Sequence, residues 1–260
     1  MLIDNIKREK YPLIFFGVVV SIKLYFLIDF LSVLIGGQAV SPNPEAVYPL
    51  GQYLFVSYSL VSILFDFIVF LTFLLRHEAT HKPAGFSENV FPLIVVFLPV
   101  VGFTLLNIPQ VRQAVPAYSE QTLMYLYQLS PQIPLYINLT GLTIGFCGAL
   151  FSIWAILYLN RSFGLRVAVR KFINKGPYRM VRHPLYVGEI VHILGIAILS
   201  ATPVGLWLFL VSVLLQIVRA RLEERKFIEW VPEYSAYRRN TGFFVPKLSR
   251  LKALDGRGQP

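Results

Sequence analysis

Apolar residues in this chain gather into long runs separated by short polar segments, rather than into the brief stretches of a soluble core. Six stretches are predicted to be membrane-spanning helices, over 12–37, 51–75, 90–108, 134–158, 184–200 and 203–218. A hydrocarbon core about 30 Å thick takes about 20 residues of helix per crossing, and several of the runs meet that length. The last two are short, and only Ala201-Thr202-Pro203 lies between them, so they are expected to form a tight helical hairpin whose two ends face the same side. Pro203 suits a helix start, where the N–H it lacks has no helical partner.

Composition sharpens that picture. The chain has 260 residues, 55% hydrophobic and 15% charged, against about 25% charged in an average soluble domain, and its mean hydropathy is +0.60. Soluble classes are excluded, and the expected fold is an all-α polytopic membrane protein of about six transmembrane helices. The first run follows Lys7, Arg8 and Lys10 but continues to about Gly37, longer than the roughly 7–15 apolar residues of a signal peptide, so a retained anchor is expected. Cys147 is the single cysteine, which leaves no intrachain disulfide and no cysteine-based metal site. The closing Arg257-Gly258-Gln259-Pro260 carries no lipidation box.

Charge adds an orientation. All of the 24 Lys and Arg except Lys23 and Arg112 fall at the N-terminus, in the 76–89 loop, in the 159–183 segment or from Arg219 onward. By the positive-inside rule these segments and both termini are cytoplasmic, which requires an even number of spans. The net charge of +10 is then first a topology signal, and second a means of attracting anionic headgroups. No nucleic-acid module surrounds the basic residues, so nucleic acid is not an expected partner.

Lys23, Asp29 and Asp66 lie within the runs, where an unpaired charge costs roughly 2.5–3.5 kcal/mol at mid-bilayer. A structural Lys–Asp pair between the first two helices is the favoured reading. An ion or proton path, making the chain a transporter or a non-enzymatic scaffold, is the competing one.

Composition shifts near residue 159, after which charged segments alternate with the short hairpin, and the chemistry is expected there. Three segments are expected: a three-helix membrane region over 1–133, a core over 134–246 and a basic tail over 247–260. The run Gly176-Pro177-Tyr178-Arg179-Met180-Val181-Arg182-His183-Pro184-Leu185-Tyr186-Val187-Gly188-Glu189 enters the fifth span. Pro184 suits the first turn of that helix, and the first-turn N–H groups form a place to receive a carboxylate at the interface. After the sixth span comes Arg219-Ala220-Arg221-Leu222-Glu223-Glu224. On a continuous helix Arg219 and Glu223 share a face and Glu224 points about 100° away. Each cluster alone has a bland explanation as a capped or solvated interface, but the hairpin is expected to bring the two together.

Together with Arg161-Ser162-Phe163-Gly164, Phe172-Ile173 and a tail of Tyr234, Tyr237 and the closing Phe243-Phe244-Val245-Pro246, these motifs resemble the isoprenylcysteine carboxyl methyltransferase and phospholipid methyltransferase superfamily, over roughly residues 134–246. The resemblance implies a membrane-embedded enzyme using S-adenosyl-L-methionine, with Phe172, Ile173, Tyr178, His183, Pro184, Leu185, Tyr186 and Glu223 around the cofactor and Arg219 with Glu223 in catalysis. No metal is implied. Lys171 and Lys175 depart from less charged family residues, and the segment between Glu224 and Tyr234 is slightly short. The implied acceptor is hydrophobic or membrane-borne, an isoprenylcysteine carboxylate first, with a phospholipid amine or a small thiol as alternatives. Sterol-type reductases that use NADPH share an Arg-His-Pro-x-Tyr-x-Gly element, but Gly176-Pro177-Tyr178 ahead of Arg182 favours the methyltransferase.

Overall fold

The computed structural model describes residue 6 and residues 10–35, 49–105, 135–200 and 203–247. The Ala201-Thr202 turn of the expected hairpin, Lys7, Arg8, the side chain of Asp29 and the 248–260 tail lie outside the described residues. In chain order the helices are α1 Lys10–Ile35, α2 Pro49–Leu75, α3 Gly85–Asn89, α4 Phe91–Leu105, α5 Leu135–Leu159, α6 Pro184–Ser200, α7 Pro203–Trp230 and α8 Tyr234–Asn240. Short 3-10 turns occupy Asn160–Ser162 and Gly176–Arg179. Among the described residues there are no strands, only isolated bridges pairing His81 with Val169 and Val181 with Gly242. The all-helical class is as the apolar runs imply.

Among the described residues, three helices are long and apolar enough to cross a membrane, over Val56–Leu75, Leu139–Ser162 and Pro203–Trp230, with shorter apolar helices over Phe91–Phe103 and Pro184–Ser200. The last helix runs well past its expected end near 218. At 28 residues it is about 42 Å long, so its charged final turns project beyond a hydrocarbon core of about 30 Å.

Helices α5 and α6 pack backbone against backbone because both carry glycine at the contact. A Cβ on Gly148 would lie 2.3 Å from His192 N, and one on Gly195 would lie 2.4 Å from Gly145 N. Small residues let membrane helices approach this closely, gaining dispersion contacts where lipid supplies no hydrophobic drive between them. The residues after α5 and those before α6 are thereby fixed at one end of the bundle. Gly176 sits there at φ +55°, and the Tyr158 ring fills the space a side chain would take.

That end is also where the charged segments meet. His77 N donates to Arg161 O at 2.9 Å, Thr80 N to Val169 O at 2.9 Å and Val167 N to Glu88 O at 3.0 Å. Lys226, on the projecting part of α7, pairs with the Glu88 carboxylate and donates to Lys82 O at 2.7 Å. The 76–89 loop is thus bolted between the 161–170 segment and α7. The buried core follows suit, with Phe16 of α1 and Phe73 of α2 in one cluster with Ile156, Phe163, Tyr178 and Leu185. In the membrane-buried part, Lys23 Nζ lies 2.5 Å from Asp66 Oδ2 and donates to Ser62 Oγ at 2.7 Å, the pairing favoured from sequence.

Candidate functional site

The segment from Phe163 to Tyr186 folds over the projecting half of α7 and encloses a cavity. Its walls include Phe172, Ile173, Tyr178, His183, Leu185, Tyr186 and Glu223 of the residues singled out from sequence. Pro184 is buried at the first position of α6 without lining the cavity. Arg219, fully buried, stands behind the wall rather than in it.

The hairpin brings its two clusters together through two separate contacts. The Tyr186 hydroxyl donates to the Glu223 carboxylate. One residue on, Glu224 Oε1 accepts from Arg182 Nε at 2.5 Å and lies 3.2 Å from His183 Nε2. The adjacent acids therefore serve different partners, since successive residues on a helix point about 100° apart. Glu223 faces the cavity, and Glu224 faces the loop that leads into α6.

Arg219 is held as a planar group among planar partners. Its guanidinium lies 4.7 Å from the Tyr186 ring centroid, its Nη2 donates to Leu165 O at 3.1 Å, and its Nε is 3.6 Å from Glu223 Oε1. Stacking with bidentate reach is a property of arginine that lysine does not share. Arg219 thereby fixes the ring of Tyr186 and the carboxylate of Glu223 from behind.

The roof is aromatic and is closed by the chain after α7. Phe172 packs among Phe227, Tyr234 and Tyr237, and the Tyr237 hydroxyl donates to Tyr178 O at 2.6 Å. Arg182 Nη1 donates to Thr241 O at 2.6 Å, and Arg182 N donates to Gly242 O at 2.8 Å. Gly242 is required in that turn, because a Cβ there would lie 1.7 Å from Val245 O. The slightly short segment after Glu224 nonetheless reaches the roof.

Tyr178 Oη is buried and makes no hydrogen bond within the protein, an exception to the rule that buried polar groups are paired. Burial pushes its ionisation well above the ordinary tyrosine value, assisted by the negative charge of Glu223. Tyr234 is raised likewise, by burial and then by Glu224. Both hydroxyls are therefore neutral donors at physiological pH, not bases.

The space is about 100 Å³, below the roughly 300 Å³ of ordinary small-molecule sites. The donor set fits S-adenosyl-L-methionine: aromatic faces for a sulfonium, the carboxylate of Glu223 and the unpartnered hydroxyl of Tyr178.

Sequence reasoning gave several contributors no place in the cavity. Arg166, Lys171, Phe227, Tyr234 and Tyr237 line the cavity, and Arg182 with Glu224 locks its frame. Lys171 does so as one of the two noted departures, whereas Lys175 stays exposed and outside the walls. Among the described residues no group of three or more His, Cys, Asp or Glu is arranged to hold a metal ion.

Comparison with known proteins agrees with the resemblance read from the motifs. Residues 137–231 match the family model described as phospholipid methyltransferase. The cobalt-zinc-cadmium resistance protein CzcN of Cupriavidus metallidurans is 32% identical over 113 residues, 42% of this chain and 50% of that protein. The nickel-cobalt-cadmium resistance protein NccN of Alcaligenes xylosoxydans xylosoxydans is 29% identical over 123 residues, 45% of this chain and 55% of that protein. The chain thus spans about half the length of the curated relatives it matches.

Proposed function

We propose that the stretch resembling the phospholipid methyltransferases is the core of a membrane enzyme that moves a methyl group from S-adenosyl-L-methionine to a hydrophobic, membrane-borne acceptor. The observation that carries this reading is the buried Tyr178 hydroxyl, left without a protein partner in the wall of a cavity shared with Tyr186, His183 and Glu223. A ligand that accepts a hydrogen bond there removes the cost of a buried unmade bond, about 1–3 kcal/mol.

When bound, the cofactor supplies an electrophilic methyl on a sulfonium, and no covalent enzyme intermediate is required. The chain's own task is alignment and exclusion of water. Phe172 and Ile173 form the roof over the cofactor, and Tyr178 and Tyr186 offer aromatic faces to its cation, an attraction of about 0.5–2 kcal/mol. Glu223 holds its polar groups, while His183 and Leu185 form the floor at the start of α6, with Pro184 buried behind them. Arg219 is assigned as a positioning residue that acts through Tyr186 and Glu223.

The acceptor enters from the bilayer and the cofactor from the aqueous side where the basic loops meet, which we take to be the cytoplasm, with both termini on that side. An isoprenylcysteine carboxylate is the first acceptor to test, because a carboxylate needs no general base and both cavity tyrosines discussed above are held neutral. A phospholipid amine or a small thiol is the alternative. The domain scheme in this reading is an N-terminal membrane region over 1–133, a methyltransferase core over 134–246 and a basic tail.

The test is incubation of membranes containing the chain with methyl-labelled cofactor, followed by partition of the label. Label in a base-labile ester identifies a carboxylate acceptor, label in a headgroup an amine, and label in a volatile product a thiol. No transfer above membranes lacking the chain would rule out the methyltransferase reading. Binding of NADPH in place of S-adenosylhomocysteine would favour the reductase.

A further inference from the structure

A second cavity, about 220 Å³, lies beside the first and is lined by Arg76, His77, Glu78, Lys82, Arg166 and Arg170. Four permanent cations face one carboxylate across it. Arg76 and Arg170 are themselves buried, and a low-dielectric surround strengthens their field on anything in the cavity. Arg170 is packed flat against Gly164, whose missing Cβ would lie 2.5 Å from Arg170 Nη1, and its Nε reaches His77 O at 3.4 Å. Arg76 lies over the Phe73 ring at 5.3 Å. These guanidinium groups are held in fixed planes, which suits bidentate recognition of oxyanions.

The depth of the cavity is set by the helices that end at it. The apolar span in α2 stops at Leu75, one residue before Arg76, and the one that starts in α5 runs on through the 3-10 turn to Ser162, just ahead of Arg166. The cations therefore sit where hydrocarbon gives way to headgroups. Arg166 and Arg170 line both cavities, and Lys226 ties Glu88 and Lys82 O to α7 nearby. Seven of the nine lining residues come from the 76–89 loop, outside the residues that match the methyltransferase family.

We propose that this second cavity binds a phosphate-bearing anion at the membrane surface, either the headgroup of an anionic phospholipid or free phosphate, between Arg76, Lys82, Arg166 and Arg170. The inference stands apart from the methyltransferase reading, because it concerns binding and not turnover.

The experiment uses the full chain in a neutral detergent and follows its thermal unfolding midpoint as short-chain phosphatidylglycerol, inorganic phosphate or diacylglycerol is titrated. Saturable stabilisation by phosphatidylglycerol and not by diacylglycerol is expected. Half-saturation should weaken about fivefold or more in Lys82→Glu and in Arg76→Gln, as for loss of about one basic contact near a membrane surface. Arg221→Glu, an exposed charge outside the cavity, should leave it unchanged. Inorganic phosphate stabilising with the same variant dependence, and the lipid not, assigns the site to free phosphate. Saturation by neither probe, equal stabilisation by diacylglycerol, or equal weakening in Arg221→Glu overturns the proposal. Lys82 is exposed, so its variant carries the test even if Arg76→Gln does not fold.

Discussion

Arg182 Nε donates to Glu224 Oε1 at 2.5 Å, with side chains only 10% and 7% exposed, and this pair joins the loop ahead of α6 to the far half of α7. Its neighbour in sequence, Glu223, turns instead to Tyr186 and the cavity. Two adjacent carboxylates therefore separate frame from chemistry, and the variants that follow separate them in turn.

Glu224→Ala leaves Arg182 buried without its carboxylate, and breaking a buried pair costs about 3–5 kcal/mol. The thermal midpoint should fall sharply, while Glu223→Gln should leave it nearly unchanged and instead weaken S-adenosylhomocysteine binding. Equal midpoints for the two variants would contradict the division.

Arg219→Lys keeps the charge but loses the fork that reaches Leu165 O and stacks on Tyr186. Turnover should drop about 100-fold, the scale seen when one preorganised donor is lost, with S-adenosylhomocysteine affinity within about threefold of the parent. Unchanged turnover removes Arg219 from the mechanism. Matched losses of turnover and affinity would show that it acts on cofactor binding alone, through Tyr186 and Glu223.

Tyr178→Phe deletes a hydroxyl that has no partner in the protein, so the empty protein should be no less stable. Affinity for S-adenosylhomocysteine should fall about threefold to tenfold, the worth of one hydrogen bond. Calorimetric titration of parent and variant checks both halves. Lower stability with unchanged affinity would show that the hydroxyl serves the fold.

Alkaline pH supplies an independent check on the roof. Tyr178 and Tyr234 ionise higher in the folded chain than the value near 10 of an unfolded tyrosine. The folded state thus holds more protons at high pH, and stability is complete below about pH 10 and lost as pH rises further. The unfolding midpoint should be insensitive to these hydroxyls between pH 7 and 9, fall above about pH 10, and fall less steeply in Tyr234→Phe.

Lys23 and Asp66 pair within the membrane-buried part. Asp66→Asn or Lys23→Met alone should lower the unfolding midpoint, and the double variant should recover much of the loss, because no unpaired ion remains. Methyl transfer by the double variant should match the parent. Its abolition would restore the reading of a functional ion path.

Much of this organisation was legible in the chain. The hairpin followed from two short apolar runs around Pro203, and the meeting of His183 and Tyr186 with Glu223 and Glu224 followed from the hairpin. The i, i+4 rule separated the two acids but did not say where Glu224 would point, because Arg182 lies on an irregular loop whose path no periodicity encodes. Nor did any local pattern tie Glu88 to Lys226, since that contact depends on how α3, with the α4 that follows it, comes to rest beside α7. Tyr234 and Tyr237 stood out as tail residues, and only the fold turned them into a roof.

The bolt from Lys226 to the 76–89 loop has a consequence for how the chain can be cut. A gene trimmed to residues 137–231, the stretch that matches the methyltransferases, would lose Tyr234 and Tyr237 from the aromatic chamber and would strip the outer brace from the 161–170 segment. The early helices are in this sense scaffolding for the part of the chain that holds the cavity.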